Sequence, residues 1–294
     1  TYGHNQFSAG LLGKNFHFFY GDFCENKPLE TCLGAVDYVV ILGGLVGDPV
    51  TKKFPDASRR INSDGIKHVI ELIEKSSVKR TIFVSTCSNY GLIEAGQKAD
   101  EAYPLNPLSL YAKSKVENEN FLLKRLSVKS QSATVLRFAT AFGLSPRMRF
   151  DLTINEFTRD LSLGKELLVF DADTWRPYCH VNDFARLIEC VLKADKNLVS
   201  GEIYNAGGDQ NNFTKRMIVE KVLNFCPNSR VVYRDKGGDP RNYIVDFSKV
   251  RKKLGFLPKY SVEDGISEIS LAVKSGIFDT FSETNSLNGN FHLV

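Results

Sequence analysis

Tyr111-Ala112-Lys113-Ser114-Lys115 sets a phenol and an ammonium four residues apart, so that on a helix both lie on one face. A lysine cation beside a tyrosine favours the phenolate and draws its pKa below the ordinary value of ~10, which makes a base usable near neutrality. Alone, such a pair is commonplace on solvated helix surfaces, and it acquires chemical meaning only through agreement elsewhere in the chain. Two other features agree. Arg80-Thr81-Ile82-Phe83-Val84-Ser85 reads as a strand that runs into Thr86-Cys87-Ser88-Asn89-Tyr90-Gly91, placing hydroxyls about one crossover before Tyr111. The strand ending Leu42-Gly43-Gly44 offers a surface without side chains, where a flat cofactor ring or a phosphate can approach the backbone.

The elements that must position these groups alternate along the chain. Val36–Leu42 is an apolar run closed by two glycines, as in a strand buried on both faces. Residues 62–76 carry Ile66, Val69, Ile70 and Ile73 at helical spacing, with Asn62 and Ser63 as caps. The strand 80–85, a helix over 109–126 and the strand 134–138 follow. This βαβα rhythm predicts an α/β fold of Rossmann type, a doubly wound parallel sheet whose ligands sit at the carboxyl ends of the strands. Beyond Gly143, Arg147, Arg149 and Arg176 gather around an amphipathic stretch at 151–162. The strand-like Tyr178–Val181 leads into a helix at 183–194, and Ile203–Gly208 reads as one more sheet strand. The division expected is a dinucleotide-binding domain of residues 1–144 and 178–206, with a smaller mixed lobe of 145–177 and 207–294.

Composition sets the outer limits. With 294 residues, 43% of them hydrophobic, the chain can bury a sizeable core, which excludes disorder and fibre. Its 38 basic and 34 acidic side chains are spread without blocks. Arg251-Lys252-Lys253 and Lys52-Lys53 read as solvated helix faces, not as a nucleic-acid surface. Six cysteines without a Cys-x-x-Cys pair read as reduced thiols of a cytoplasmic protein. No apolar stretch approaches the ~20 residues that span a bilayer, and five dispersed histidines show no metal-ligand spacing.

Read in order, Gly21-Asp22, Leu42-Gly43-Gly44, Asn62, Ser85-Thr86 with Tyr90-Gly91, Tyr111 with Lys115, Arg137 with Phe138, Arg176 with His180-Val181 and Asp183, Asn205-Ala206-Gly207-Gly208, and Arg241 with Tyr243 form a series. It resembles the extended short-chain dehydrogenases/reductases, the NAD-dependent epimerase/dehydratase family of nucleotide-sugar enzymes, over nearly the whole chain. Ser145–Leu152 and Gly238-Asp239-Pro240 look closest to the family's GDP-heptose 4-dehydrogenase branch.

The resemblance implies NAD as cofactor, a nucleotide-diphosphate sugar as substrate, and a homodimer formed through the helices that follow the strand at Ile82 and carry Tyr111. Tyr111 would be the catalytic base, Thr86 would hold the same sugar oxygen, and Lys115 would bind the nicotinamide ribose and tune Tyr111. Asp22 would meet the adenine amine. Phe23, Leu42, Gly43, Gly44, Asn62 and Ser85 would line the cofactor, and Phe138 would flank the nicotinamide by its backbone. Arg176 and Arg241 would hold the diphosphate, with Arg147 and Arg149 as further contacts to the same anion. Thr140 stands where the family usually has an Asn that contacts substrate.

The family's opening strand, glycine turn and first helix should precede Gly21-Asp22, and Gly3, Gly10 and Gly13 have neither the spacing nor a preceding strand. The expectation is a chain trimmed by roughly 30 residues or more at its start. Family members that dehydrate at C5 and C6 carry an Asp-Glu pair after the threonine, where this chain has Cys87 and Ser88, so a 4,6-dehydratase is disfavoured. The implied reaction is oxidation of a sugar hydroxyl at C4. Return of the hydride to the other face would make the same site an epimerase, for instance a UDP-hexose 4-epimerase, and a non-catalytic sensor of the same fold is the alternative from another class. Plainer readings are kept for four residues: Cys87 as a small buried hydrophobe, His180 as a structural hydrogen-bonding residue, Trp175 as lobe packing, and Asp183 as the cap of the helix that follows it.

Overall fold

A computed structural model describes residues 15–94, 96–126, 131–145, 148–235 and 241–278. Its strands are β1 (Tyr38–Ile41), β2 (Arg80–Thr86), β3 (Ser132–Phe138), β4 (Thr140–Phe142), β5 (Leu167–Phe170), β6 (Trp175–His180), β7 (Glu202–Ala206), β8 (Asn212–Thr214) and β9 (Val231–Arg234). The main sheet has the order β1-β2-β3-β7 and is parallel throughout, with Ile41 opposite Phe83, Thr86 opposite Phe138, and Phe138 opposite Ala206.

Strand pleating sends neighbouring residues to opposite faces. Phe83 and Val135 join Ile70 and Ile73 of the helix Ile66–Glu74 and Leu122 and Leu126 of the helix Leu110–Leu126. Ile82 and Leu136 point the other way, toward Phe184, Leu187 and Val191 of the helix Val181–Lys193. This is the doubly wound α/β arrangement that the alternating sequence pattern leads one to expect. Tyr243, Val245 and Phe247 pack into the same cluster as Ile82 and Leu136.

A third cluster lies away from the main sheet, where Phe142, Phe157, Leu161, Ile218 and Ile266 meet around β4-β6-β8 and β5-β9. The strand at 178–181 proves to be β6, and it pairs with β4 and β8 instead of entering the main sheet. The segment 241–247 then crosses back, through Asn242 N–H to Gly91 O at 3.1 Å, Ile93 N–H to Asn242 O at 3.3 Å and Ala99 N–H to Ile244 O at 2.9 Å.

Two capping expectations are corrected. Asn62 and Ser63 lie inside a continuous helix, because a π-helical turn, Arg59–Gly65, runs into Ile66–Glu74. The cap of Val181–Lys193 is His180, whose Nδ1 accepts the Asn182 N–H at 3.1 Å, whereas the buried Asp183 carboxylate accepts the N–H groups of Lys259 and Tyr260 at 2.9–3.0 Å. A carboxylate buried this deeply needs several donors, and the chain returning at 259–260 supplies them. Among the described residues no helix is long and apolar enough to cross a membrane.

Candidate active site

The carboxyl end of β2 and the first turns of the helix Leu110–Leu126 pack together at one edge of the main sheet. Thr86 ends β2 and accepts the Ser88 N–H on Oγ1 at 3.1 Å, capping the short 3-10 turn Cys87–Tyr90. Its own O–H is therefore left to donate. Gly91 closes that turn at φ +65°, and a Cβ there would lie 2.0 Å from Asn106 O, so only glycine lets the turn close.

Tyr111 is half-buried in the first helical turn, and Lys115 is buried one turn on. Lys115 Nζ donates to Val84 O at 2.7 Å, 4.7 Å from the Phe83 ring centroid and 5.7 Å from that of Tyr111. Glu119, another turn along the same face, is gripped by Arg137 through Nη2 at 2.7 Å and Nε at 3.2 Å. Its carboxylate also accepts Ser85 Oγ–H and an Asn89 N–H at 2.8 Å. The helix is thus clamped to β2 and β3 by a buried ion pair directly beneath the Tyr/Lys face.

The expected depression of the Tyr111 pKa is not what the structure has. Burial pushes the phenol up to about 12, and the Asp48 charge adds to this while Arg149 and Arg241 oppose it. Lys115 turns its ammonium back to the Val84 carbonyl, and burial holds its own pKa down to about 8, against a weaker opposing pull from Glu119. Desolvation outweighs the mutual effect of the pair because Lys115 is buried and Tyr111 half-buried.

At the end of β1, Asn62 clamps the glycine loop: its Oδ1 accepts the Leu45 N–H at 2.7 Å and its Nδ2 donates to Leu45 O at 2.9 Å. Gly44 sits at φ +138° with Asn62 Oδ1 only 2.9 Å from where a Cβ would be, so a side chain is excluded. Leu42 is exposed beyond the strand. The Phe23 ring lies against Gly43 and Gly65. Asp22 accepts the Cys24 N–H at 2.9 Å and pairs with Arg60 at 3.1 Å; the backbone bond at Cys24 leads in holding its carboxyl below the usual range. Phe138 stacks on Phe184 with ring centroids 3.8 Å apart, and Ser85 is turned inward to Glu119. Lys115 spends one of its three donors on Val84, and its other two find no partner among the described residues. Two unspent N–H groups of a buried ammonium fit the paired hydroxyls of a cofactor ribose.

The arginines expected to hold the diphosphate are more heavily engaged. Arg176 is buried, donates to Trp175 O at 2.7 Å and to Arg241 O, and lies 5.1 Å over the Tyr243 ring. Arg241 reaches Asp48 Oδ2 at 3.3 Å and Ser88 Oγ at 3.4 Å, and Ser88 Oγ also meets Tyr243 Oη at 3.3 Å. Arg149 makes a two-pronged pair with Asp151, 2.6 Å on each side. Thr140 begins β4 opposite Tyr178, and Arg147 lies outside the described residues. Cys87 is buried with its thiol donating to Arg137 O at 3.1 Å and its pKa raised by burial, in keeping with an inert role. His180 is buried between Asn182 N and Glu268 Oε1, 2.7 Å away, a structural placement.

Sequence reading passed over Asp48, Ser88 as a side-chain partner, and Glu119. Glu119 is signalled by its spacing, a further four residues along the Tyr111 and Lys115 face. Asp48 carries only the cue of lying shortly after a strand-ending Gly-Gly.

Fold and site together define a Rossmann-type α/β protein with a Tyr-x-x-x-Lys helix at the carboxyl edge of its sheet. Residues 2–207, more than half the chain, match the NAD dependent epimerase/dehydratase family, and the chain belongs to that family. NAD is thus the cofactor of its family, as the sequence resemblance implies. Relatives include a dTDP-glucose 4,6-dehydratase of Actinoplanes sp., 29% identical over 86% of this chain and 78% of that one. A UDP-glucuronate 4-epimerase of Thermodesulfobacterium geofontis is 26% identical over 86% of this chain and 78% of its own length. Among solved structures, the fold is shared with UDP-glucuronic acid 4-epimerase from Bacillus cereus in complex with UDP-glucuronic acid and NAD. The TM-score is 0.81 at 22% identity, covering 91% of this chain and 84% of that one. The fold is shared equally with a Thermotoga maritima UDP-glucose 4-epimerase with UDP-glucose, at TM-score 0.81 and 23% identity, covering 92% and 88%.

Proposed function

We propose that the protein oxidises the C4 hydroxyl of a nucleotide-activated sugar, and either releases the ketone or returns the hydride to make the C4 epimer. The observation that carries this reading is the Tyr111–Lys115 face held against the end of β2 beside Thr86. NAD, when bound, supplies the hydride acceptor. Tyr111 takes the proton of the sugar hydroxyl once ionised, and since burial holds its phenol up to about 12 this step gains as pH rises. Thr86, its Oγ1 already accepting from Ser88, donates its O–H to the same sugar oxygen as negative charge develops there. The two unspent donors of Lys115 hold the cofactor ribose and keep it against the Tyr111 face.

Arg176 and Arg241 serve the diphosphate by exchanging part of their present internal hydrogen bonds for phosphate oxygens. Cys87 and Ser88 follow Thr86, so no acid and base pair stands there for elimination of water, and this supports oxidation or epimerisation over 4,6-dehydration. A UDP-hexose 4-epimerase fits the same residues. The GDP-heptose assignment rests on Ser145–Leu152 and Gly238–Pro240, parts of which lie outside the described residues. A cytoplasmic homodimer formed through the Tyr111 helix completes the reading, and light scattering tests its mass.

The deciding experiment incubates the protein and its Tyr111→Phe variant with NAD and a panel of GDP-, UDP-, dTDP- and CDP-sugars, with products read by mass spectrometry. Loss of two mass units marks oxidation, and unchanged mass with altered chromatography marks epimerisation. Tyr111→Phe is expected to lower turnover by about 10²–10⁴-fold with NAD binding retained. Unchanged turnover in that variant would remove Tyr111 from the mechanism.

A further inference from the structure

Asp48 has no part in the chemistry above, yet it lies at the site. It opens the short helix Asp48–Lys53, shortly beyond the glycine loop at the carboxyl end of β1, and that helix packs against the helix of Tyr111. One carboxylate oxygen, Oδ2, pairs with Arg241 at 3.3 Å. The other, Oδ1, is shielded from solvent and has no hydrogen-bond partner among the described residues. An ionised carboxylate can only accept, and an acceptor held out of water without a donor is destabilising. Anchoring Arg241 accounts for Oδ2 and leaves Oδ1 unexplained.

Of the guanidinium groups nearby, Arg149 is forked onto Asp151, and Arg241 reaches Asp48 itself through a single contact of 3.3 Å. A hydroxyl brought beside Asp48 would satisfy Oδ1, whereas a second carboxylate brought there would meet a like charge. We propose that Asp48 determines sugar specificity: Oδ1 accepts a hydrogen bond from a sugar hydroxyl, and its negative charge excludes hexuronic acids, so that the substrate class is the nucleotide-activated neutral sugars. This rests on the nucleotide-sugar reading of the site and narrows it.

The test measures binding by titration calorimetry, with NAD present, for two matched pairs: UDP-glucose against UDP-glucuronic acid, and GDP-mannose against GDP-mannuronic acid. Wild type is expected to favour the neutral member of the pair it binds by about tenfold or more, since like charges in contact cost more than one factor of ten in affinity. In Asp48→Asn that ratio is expected to fall by about tenfold. A general weakening through Arg241 would affect both members of a pair and leave the ratio intact, so the ratio isolates the effect of the charge. Asp48→Ser, shorter and neutral, gives the same reading should Asp48→Asn fold poorly by circular dichroism. Equal or tighter binding of the uronate by wild type, or a ratio unchanged in the variants, overturns the proposal and leaves the nucleotide-sugar reading standing. Failure of wild type to bind any of the four, or any dTDP- or CDP-sugar of the panel above, overturns that underlying reading instead.

Discussion

Tyr111 and Lys115 are each displaced from their ordinary acidity by the same cause, burial, and in directions that disfavour charge on both. For Lys115 this is a statement about stability. The folded protein releases the proton near pH 8 and the unfolded chain near 10.5, so between these values the unfolded state holds the extra proton and stability rises with pH. Below about pH 8 the penalty is present in full. Lys115→Met is therefore expected to be more stable than wild type at pH 7, on the order of 1–3 kcal/mol once the lost bond to Val84 is counted, and to lose the rise between pH 8 and 10.5. Denaturant titrations at pH 7 and pH 10 check this; a variant less stable at both would show that the ammonium is well solvated. Tyr111 is faced by Asp48, Arg149, Tyr243 and Arg241, with Lys115 one turn below. Because the Asp48 carboxylate opposes the phenolate, Asp48→Asn is expected to move the alkaline rise of kcat/KM to lower pH. An unmoved profile would detach Asp48 from the phenol.

At the scale of elements, the Tyr111 helix is held by Glu119 and Arg137, whose side chains are 2% and 4% exposed. Removing one member of such a pair strands the other charge in the core. Glu119→Ala is expected to cost about 3–5 kcal/mol, and the double change Glu119→Leu with Arg137→Met to recover most of it. Urea unfolding measures both, and a single-variant cost below about 1 kcal/mol would mean that the network is not buried as described. The loop after β1 depends on a different device, the two bonds between Asn62 and Leu45. Neither element is obvious in the chain, because an asparagine within a helix and a glutamate within a helix look alike whether they bridge to a strand or face water. The helices and strands themselves were legible from hydrophobic spacing at Ile66, Val69, Ile70 and Ile73 and from the apolar run at 36–42. The caps were not, since a capping residue is chosen by where the chain enters the helix, and Arg59–Gly65 extends that entry backwards past Asn62.

For the whole molecule, the segment 241–247 joins β6 to the chain that follows β2. Asn242 is its centre: its N–H and C=O pair with Gly91 and Ile93, and its Oδ1 accepts the Trp175 N–H at 2.8 Å. This crossing brings Arg241 and Tyr243 to Ser88 and Asp48. Asn242→Ala is expected to destabilise by about 1–2 kcal/mol and, on the proposed function, to raise KM for the sugar nucleotide more than it lowers kcat, since it loosens the segment that carries Arg241 and Tyr243 and not Tyr111 or Thr86. Thermal melts and steady-state kinetics read the two effects separately, and a selective fall in kcat would contradict this division of labour.

Residue order alone determined the alternating α/β pattern and the family, and it singled out Tyr111, Lys115 and Thr86 as candidates, because each is carried by local spacing along one helix or at one strand end. Tertiary structure decided which groups share a site and in what state of charge. Asp48 and Arg241 come from opposite parts of the chain, and no periodicity relates them. The phenol expected to be acidified by its lysine is instead pushed up to about 12, since the lysine beside it points back to Val84 and packing withdraws much of the phenol from water. Spacing says which side chains can meet, whereas only the packed fold sets the desolvation each must bear.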